Sequence, residues 1–149
     1  MTGPGHPPAG AGPAEGELLA LCDACHNPVA DGRGEVWVTA RELADHHRAM
    51  HHWERQNPGP ARTVGAILAQ PPAVRWHVTH HHAACAGLLP ADAHAFGVEH
   101  CRTWAGLADR TRLLAGHDWL ADTDWDTLLD DARNGAGRRI TPAPGHHAP

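Results

Sequence analysis

The chain has no lysine, no serine and no tyrosine, and a single phenylalanine in 149 residues. Without serine there is no serine nucleophile, and without lysine there is no phosphate loop of the G-x-x-x-x-G-K-[ST] type. No G-x-G-x-x-G follows a predicted strand either. Six tryptophans and Phe96 are the only large aromatic anchors, so the hydrophobic core is modest, and a metal cross-link is one way to reinforce it. Long apolar runs are also missing. Residues 18–22, "LLALC", fall short of the signal-peptide core of about 7–15 residues, and nothing approaches the roughly 20 apolar residues of a membrane span. These absences lead to the expectation of a cytoplasmic protein that does not enter a membrane. Thiols stay reduced in that compartment, and close cysteine pairs there point to metal rather than disulfide.

The charge balance argues against a further class. The formal net charge is -5, and a protein that grips a nucleic-acid backbone normally carries a basic stripe. The one basic cluster is Arg133, Arg138 and Arg139, beside a Gly- and Pro-rich end.

What the chain does have in quantity is Gly, Pro and Ala at both ends. Residues 1–16 and 135–149 are expected to be disordered tails, with residues 17–134 as one folded domain. Within it, "ELLALC" reads as a strand and "EVWVT" (35–39) as a half-buried one, with Val36 and Val38 on one face and Trp37 on the other. The two are expected to form a hairpin. Thr39 is placed to cap a helix over 40–56 that "NPGP" stops, and "VGAILAQ" (64–70) is a short helical piece. "AVRWHVTH" (73–80) alternates as a strand, and "HHAACAGLL" (81–89) is expected to be a helical turn closed by Pro90. A short strand from residue 96 precedes a helix capped by Thr103, and Thr123 is expected to cap a last helix ending at Gly135. Trp37, Trp76 and Trp104 are the expected core anchors. Trp53, Trp119 and Trp125 fall near helix ends, where they would close the helical tail over the rest.

The chemistry gathers around four cysteines and fifteen histidines. Cys22 and Cys25 form a C-x-x-C pair, and His82 and Cys85 repeat that spacing. Structural Zn2+ takes four tetrahedral Cys and His ligands, and two such half-sites would supply them. The expected set is therefore Cys22, Cys25, His82 and Cys85, holding one structural Zn2+ per chain. Cys101 is an alternative fourth ligand, or else a small core residue, and His26, His77, His80 and His81 are the remaining candidates.

"CDACHNPVADGRGEVWV" followed by "WHVTHHHAAC" resembles LIM and treble-clef zinc modules, which pair C-x-x-C with H-x-x-C. The departure is the 56 residues, 26–81, between the two pairs, a longer interval than in LIM half-sites and one that contains a helix. With its "RTWAGLADRTRLLAGHDWLADTDWDTLL" tail, the whole chain is similar to a set of small bacterial zinc-binding proteins with no assigned activity. The resemblance implies an α+β fold: a treble-clef-like zinc subdomain (17–90) of short antiparallel strands with an inserted helix, then a C-terminal helical pair (96–134).

Three functional readings follow. The first is a non-enzymatic protein-interaction module with an unidentified protein partner, built on the structural zinc. The second is a metal-dependent nuclease or hydrolase that uses the His-rich segment 77–82, with His77 or His80 at a strand end. The third is a nucleic-acid-binding zinc module. His47 and His51 share an i, i+4 spacing suited to a second metal, but no Glu stands between them as in H-E-x-x-H, and they read as an exposed helix face.

Overall fold

The computed structural model describes residues 17–135 and 138–144; the expected tail 1–16 lies outside them. Among the described residues there are four α-helices and two small antiparallel sheets. Strand β2 (Gly34–Thr39) is central to the larger sheet, flanked by β3 (His77–His80) and β4 (Ala93–Gly97) in the order β3-β2-β4. Val36 pairs with Val78 on one side and with Phe96 on the other, and all three are buried with Val38. The period-2 alternation read from "EVWVT" is thus the inner face of the sheet. Gly34 is required at the start of β2, because a side chain there would collide with the Thr79 carbonyl and with Val29.

The expected hairpin between the first two strands does not form. β1 (Leu18–Ala20) pairs instead with β5 (Ile140–Pro142), Leu18 opposite Pro142 and Ala20 opposite Ile140. Both edges of β2 are already taken by β3 and β4, so β1 finds its partner in the segment whose composition predicted a tail. That segment is anchored by Arg139, which is 4% exposed. It pairs with Asp124 at 2.8 Å, lies 3.9 Å from Asp131 and donates to the Trp76 carbonyl. Ile140 beside it is fully buried. A buried guanidinium with two carboxylates and an apolar strand outweighs the local Gly/Pro signal.

Helix α1 (Ala40–Gln56) has the predicted bounds. The Thr39 hydroxyl accepts the Glu42 N–H while the Glu42 carboxylate accepts the Thr39 N–H, a reciprocal capping box. Leu43 and Trp53 are buried, and the Trp53 indole donates to the Ala66 carbonyl at 2.8 Å, which ties α2 (Val64–Leu68) to α1. α3 (Trp104–Leu114) is capped by Thr103 as expected. α4 (Trp125–Asn134) begins one residue later than expected, with Asp124 as its N-cap. The Thr123 hydroxyl accepts the Trp125 N–H at 3.3 Å, but it also accepts from the Trp76 indole at 3.0 Å and donates to the Leu120 carbonyl. Gly135, at φ 63°, ends α4 in the left-handed conformation.

Trp76 is the centre of the core, with Trp125, Phe96 and Trp119 at 5.2, 5.9 and 6.0 Å between ring centroids. Trp125 is buried, whereas Trp104, expected in the core, is 40% exposed at the start of α3. Its place on the buried stripe falls to Leu107 and Leu114.

Candidate metal centre

The first half of the site is a tight reversal between β1 and Val29. Leu21 bridges Pro28, the Cys22 N–H donates to the Asn27 carbonyl, and the His26 N–H donates to the Cys22 carbonyl at 2.8 Å. His26 takes a left-handed φ of 64° to complete the turn. Cys22 and Cys25 therefore project from one short knuckle.

Asp23, inside that knuckle, docks it onto β3. Its N–H donates to the Val78 carbonyl at 2.8 Å, and its carboxylate accepts the Val78 N–H at 2.9 Å. The Arg75 guanidinium grips the same carboxylate with two bonds of 2.8 and 2.9 Å. Burial opposes ionisation of Asp23, yet the Arg75 and Val78 bonds outweigh it and hold the carboxyl below its usual range. Val78 and His80 are two residues apart on β3, so tying the knuckle to the edge of the strand at Val78 brings His80 beside the thiols.

The result is a group of four. The sulfurs of Cys22, Cys25 and Cys85 and a ring nitrogen of His80 all lie within 4.8 Å of one another. His80 Nδ1 is 3.4 Å from Cys25 Sγ and 3.8 Å from Cys85 Sγ. Four ligands around Zn2+, at about 2.3 Å for sulfur and 2.0 Å for nitrogen, stand about 3.5–3.8 Å apart. The donor set and its spacing fit such an ion with little adjustment. The His80 tautomer is set as well: Nε2–H donates to the Pro28 carbonyl at 3.1 Å, which leaves the Nδ1 lone pair facing the sulfurs.

Of the expected set Cys22, Cys25, His82 and Cys85, the structure brings the three thiols together with His80, and His82 stands outside the group. Exposed, it accepts the Ala84 N–H on Nδ1 at 3.2 Å. The His82 carbonyl accepts the N–H groups of Cys85, Ala86 and Gly87, building the single turn that presents Cys85. The segment 82–87 is thus a single turn within the stretch 81–89 expected to be a helical turn. The spacing of the second pair is H-x-x-x-x-C, which a search for a second C-x-x-C-like interval passes over. The strand pattern held the missing signal, since His80 alternates with Val78 and Trp76.

Electrostatics distinguish the three sulfurs. Burial opposes ionisation of Cys22, but backbone N–H groups of Cys25, His80 and Ala24, with the His80 ring, bring the thiol down to about 6. Cys85 is pushed up to about 11 by burial and by the Cys22 and Cys25 sulfurs beside it. Crowded thiols of this kind ionise together only when a cation compensates them. Cys101 is fully buried in the core, its thiol pushed up to about 12, mainly by burial, and it takes no part in the group.

The other histidines have separate roles. His77 bonds Glu42 at 2.8 Å and packs against Trp37 with centroids 4.3 Å apart. His81 lies 3.8 Å from Glu35. His47 and His51 bring their Nε2 atoms to 3.1 Å on the exposed face of α1. Among the described residues no third metal-ligating side chain joins them, and the Cys22–Cys25–His80–Cys85 group is the only cluster of three or more such donors. The basic cluster of the sequence is divided: Arg139 is buried against Asp124 and Asp131, and Arg133 pairs with Asp130. No described helix is long and apolar enough to cross a membrane.

No family model, no curated protein and no solved structure matches the chain. The likeness to LIM and treble-clef modules rests on the quoted residues alone.

Proposed function

We propose that Cys22, Cys25, His80 and Cys85 hold one Zn2+ as a structural cross-link, and that the protein is a non-enzymatic interaction module built on it. The observation that carries the reading is the closed donor set. Three thiolates and one imidazole complete a tetrahedron and leave no coordination position for water or substrate. The ion would join the knuckle to β3 and to the turn at 82–87, segments that otherwise meet mainly through Asp23. The order of elements, a knuckle, an antiparallel strand pair, and a second ligand pair at the end of its last strand and in the turn that follows, supports a treble-clef-like description. The short turn in place of a helix is the departure from it.

A cross-link of this kind frees the surface for recognition. α2 supports a binding role: Val64, Ile67 and Leu68 are 73%, 54% and 81% exposed on a helix with no buried side chain. Of the two histidines in the hydrolase reading, His80 belongs to the closed donor set, and His77 bonds Glu42 and packs on Trp37.

The test is elemental analysis of the purified, untagged protein, combined with circular dichroism during titration with a strong chelator. One zinc per chain, with loss of structure on its removal, is the expected result. A metal-free protein that is fully folded would end the structural-zinc reading, and metal-dependent turnover of DNA, RNA or ester substrates would replace it with the hydrolase.

A further inference from the structure

Away from the metal centre, a cavity of about 250 Å3 opens between β4, α3 and the 3-10 turn Asp118–Asp122. Its lining includes Arg110, His94, His117, Trp119 and Phe96 and no acidic residue, although the chain as a whole carries a formal charge of -5. His94 and His117 both stack on the Trp119 indole, with centroids 4.8 and 4.9 Å away and interplanar angles of 26° and 22°. The two imidazoles are 6.4 Å apart, well short of the sum of those distances, so they tile one side of the indole instead of sandwiching it. The cavity thus has an extended aromatic wall, its two imidazoles inclined at 41° to each other.

Arg110 stands over the Phe96 ring at 4.8 Å from its centroid. Its Nε is the one buried side-chain polar atom without a hydrogen-bond partner among the described residues. Arg110 also forms no ion pair there, whereas Arg75, Arg102 and Arg139 each find a carboxylate. Arg110 as a whole is only half-buried, so while Nε is enclosed, the terminal N–H groups of the guanidinium are open to an acceptor from outside, which would offset the cost of leaving this cation unpaired.

The geometry points to a binding site for a small planar aromatic carboxylate, its carboxylate on the Arg110 guanidinium and its ring against the His94–Trp119–His117 wall. A planar fork matches a carboxylate through two parallel bonds, and an aromatic wall recognises a ring face. The cavity volume restricts the ligand to about one ring, since drug-sized ligands occupy about 300 Å3 or more.

The probe is benzoate, titrated into the metal-replete full chain and followed by the indole N–H resonances in a two-dimensional NMR spectrum. Benzamide serves as the neutral control and acetate as the ringless one. Benzoate is expected to shift the Trp119 indole and the backbone of His94 and Arg110 saturably, with a dissociation constant of about 1–10 mM for a ligand of this size. Benzamide and acetate should bind at least tenfold more weakly, and R110Q should weaken benzoate at least tenfold while leaving the zinc content unchanged. If R110Q does not fold, R110K, which keeps the charge without the planar fork, and the exposed H117A are each expected to weaken benzoate. Shifts that never saturate, benzamide binding equal to benzoate, or undiminished binding by the folded Arg110 variants would overturn the assignment. The outcome is separate from that of the metal reading, which is judged by zinc content and chelation alone.

Discussion

Replacing His80 and His82 in turn by alanine separates the ligand set proposed from the geometry from the one suggested by spacing. His80 offers Nδ1 to the sulfurs and is oriented by the Pro28 carbonyl; His82 offers its Nδ1 to the Ala84 N–H. Small zinc modules bind their ion with about 10–16 kcal/mol, so one ligand in four accounts for about 2.5–4 kcal/mol, or two to three orders of magnitude in affinity. A water taking the vacated position returns part of that, which leaves about a hundredfold as the expected loss for His80→Ala. His82→Ala removes one exposed hydrogen-bond acceptor and leaves intact the backbone carbonyl that builds the turn, so its effect should stay within about threefold. The assay is competition for zinc against a chromophoric chelator, repeated with Co2+. The visible bands of tetrahedral Co2+ should change for His80→Ala and keep their positions for His82→Ala. Equal losses in both variants, or a larger loss for His82→Ala, would refute the assignment of His80 and with it the argument from the Val78 strand face.

Four further outcomes are expected. Cys101→Ser should keep one zinc per chain by elemental analysis but lower thermal stability by about 1–3 kcal/mol, because its hydroxyl enters a fully buried apolar site. Asp23→Ala should weaken zinc about 10–100-fold in the same competition assay, since it removes the carboxylate bonds to the Val78 N–H and Arg75 without touching a proposed ligand. Arg139→Met strands Asp124 and Asp131 and should cost about 3–5 kcal/mol in denaturant unfolding; a loss under 1 kcal/mol would mean that the β1–β5 pairing contributes little. Glu42 is held below its ordinary value of 4.5, the bonds from His77 and Thr39 outweighing its burial. Its charge therefore stabilises the fold above about pH 4.5, and the contribution is lost as pH falls through the lowered value. Glu42→Gln should accordingly be less stable than the parent chain at neutral pH and converge with it in acid; a constant difference down to acid pH would show that the charge is not what matters.

The parts of the fold that were legible in the sequence are those fixed by nearby residues. Thr39 and Glu42 lie three positions apart, so the start of α1 could be read directly, and "NPGP" marked its end. The alternation of Val36 and Val38 is local in the same sense, as are the C-x-x-C knuckle and the stop at Gly135. What was hidden depends on partners far along the chain. Nothing near Leu18 indicates that it pairs with Pro142, and nothing near Gly-Arg-Arg at 137–139 indicates that Arg139 has two aspartates waiting on and before α4. Composition marked that end as a tail because composition cannot register a pairing 120 residues away.

The fourth member of the Cys22–Cys25–His80–Cys85 group shows the same division within the site. Cys22 and Cys25 could be found because a knuckle imposes its spacing on the sequence. The second pair has no such constraint, for one member comes from a strand and the other from a turn: His80 is fixed by alternation with Val78, and Cys85 by three N–H groups converging on the His82 carbonyl. A ligand pair assembled in that way can have any short interval, and choosing the histidine by matching the first pair's spacing selects the residue that builds the turn. The register of β3 is the better guide, because the strand face that buries Trp76 and Val78 carries on to His80, and the knuckle that Asp23 ties to the free edge of β3 at Val78 brings the two cysteines beside it.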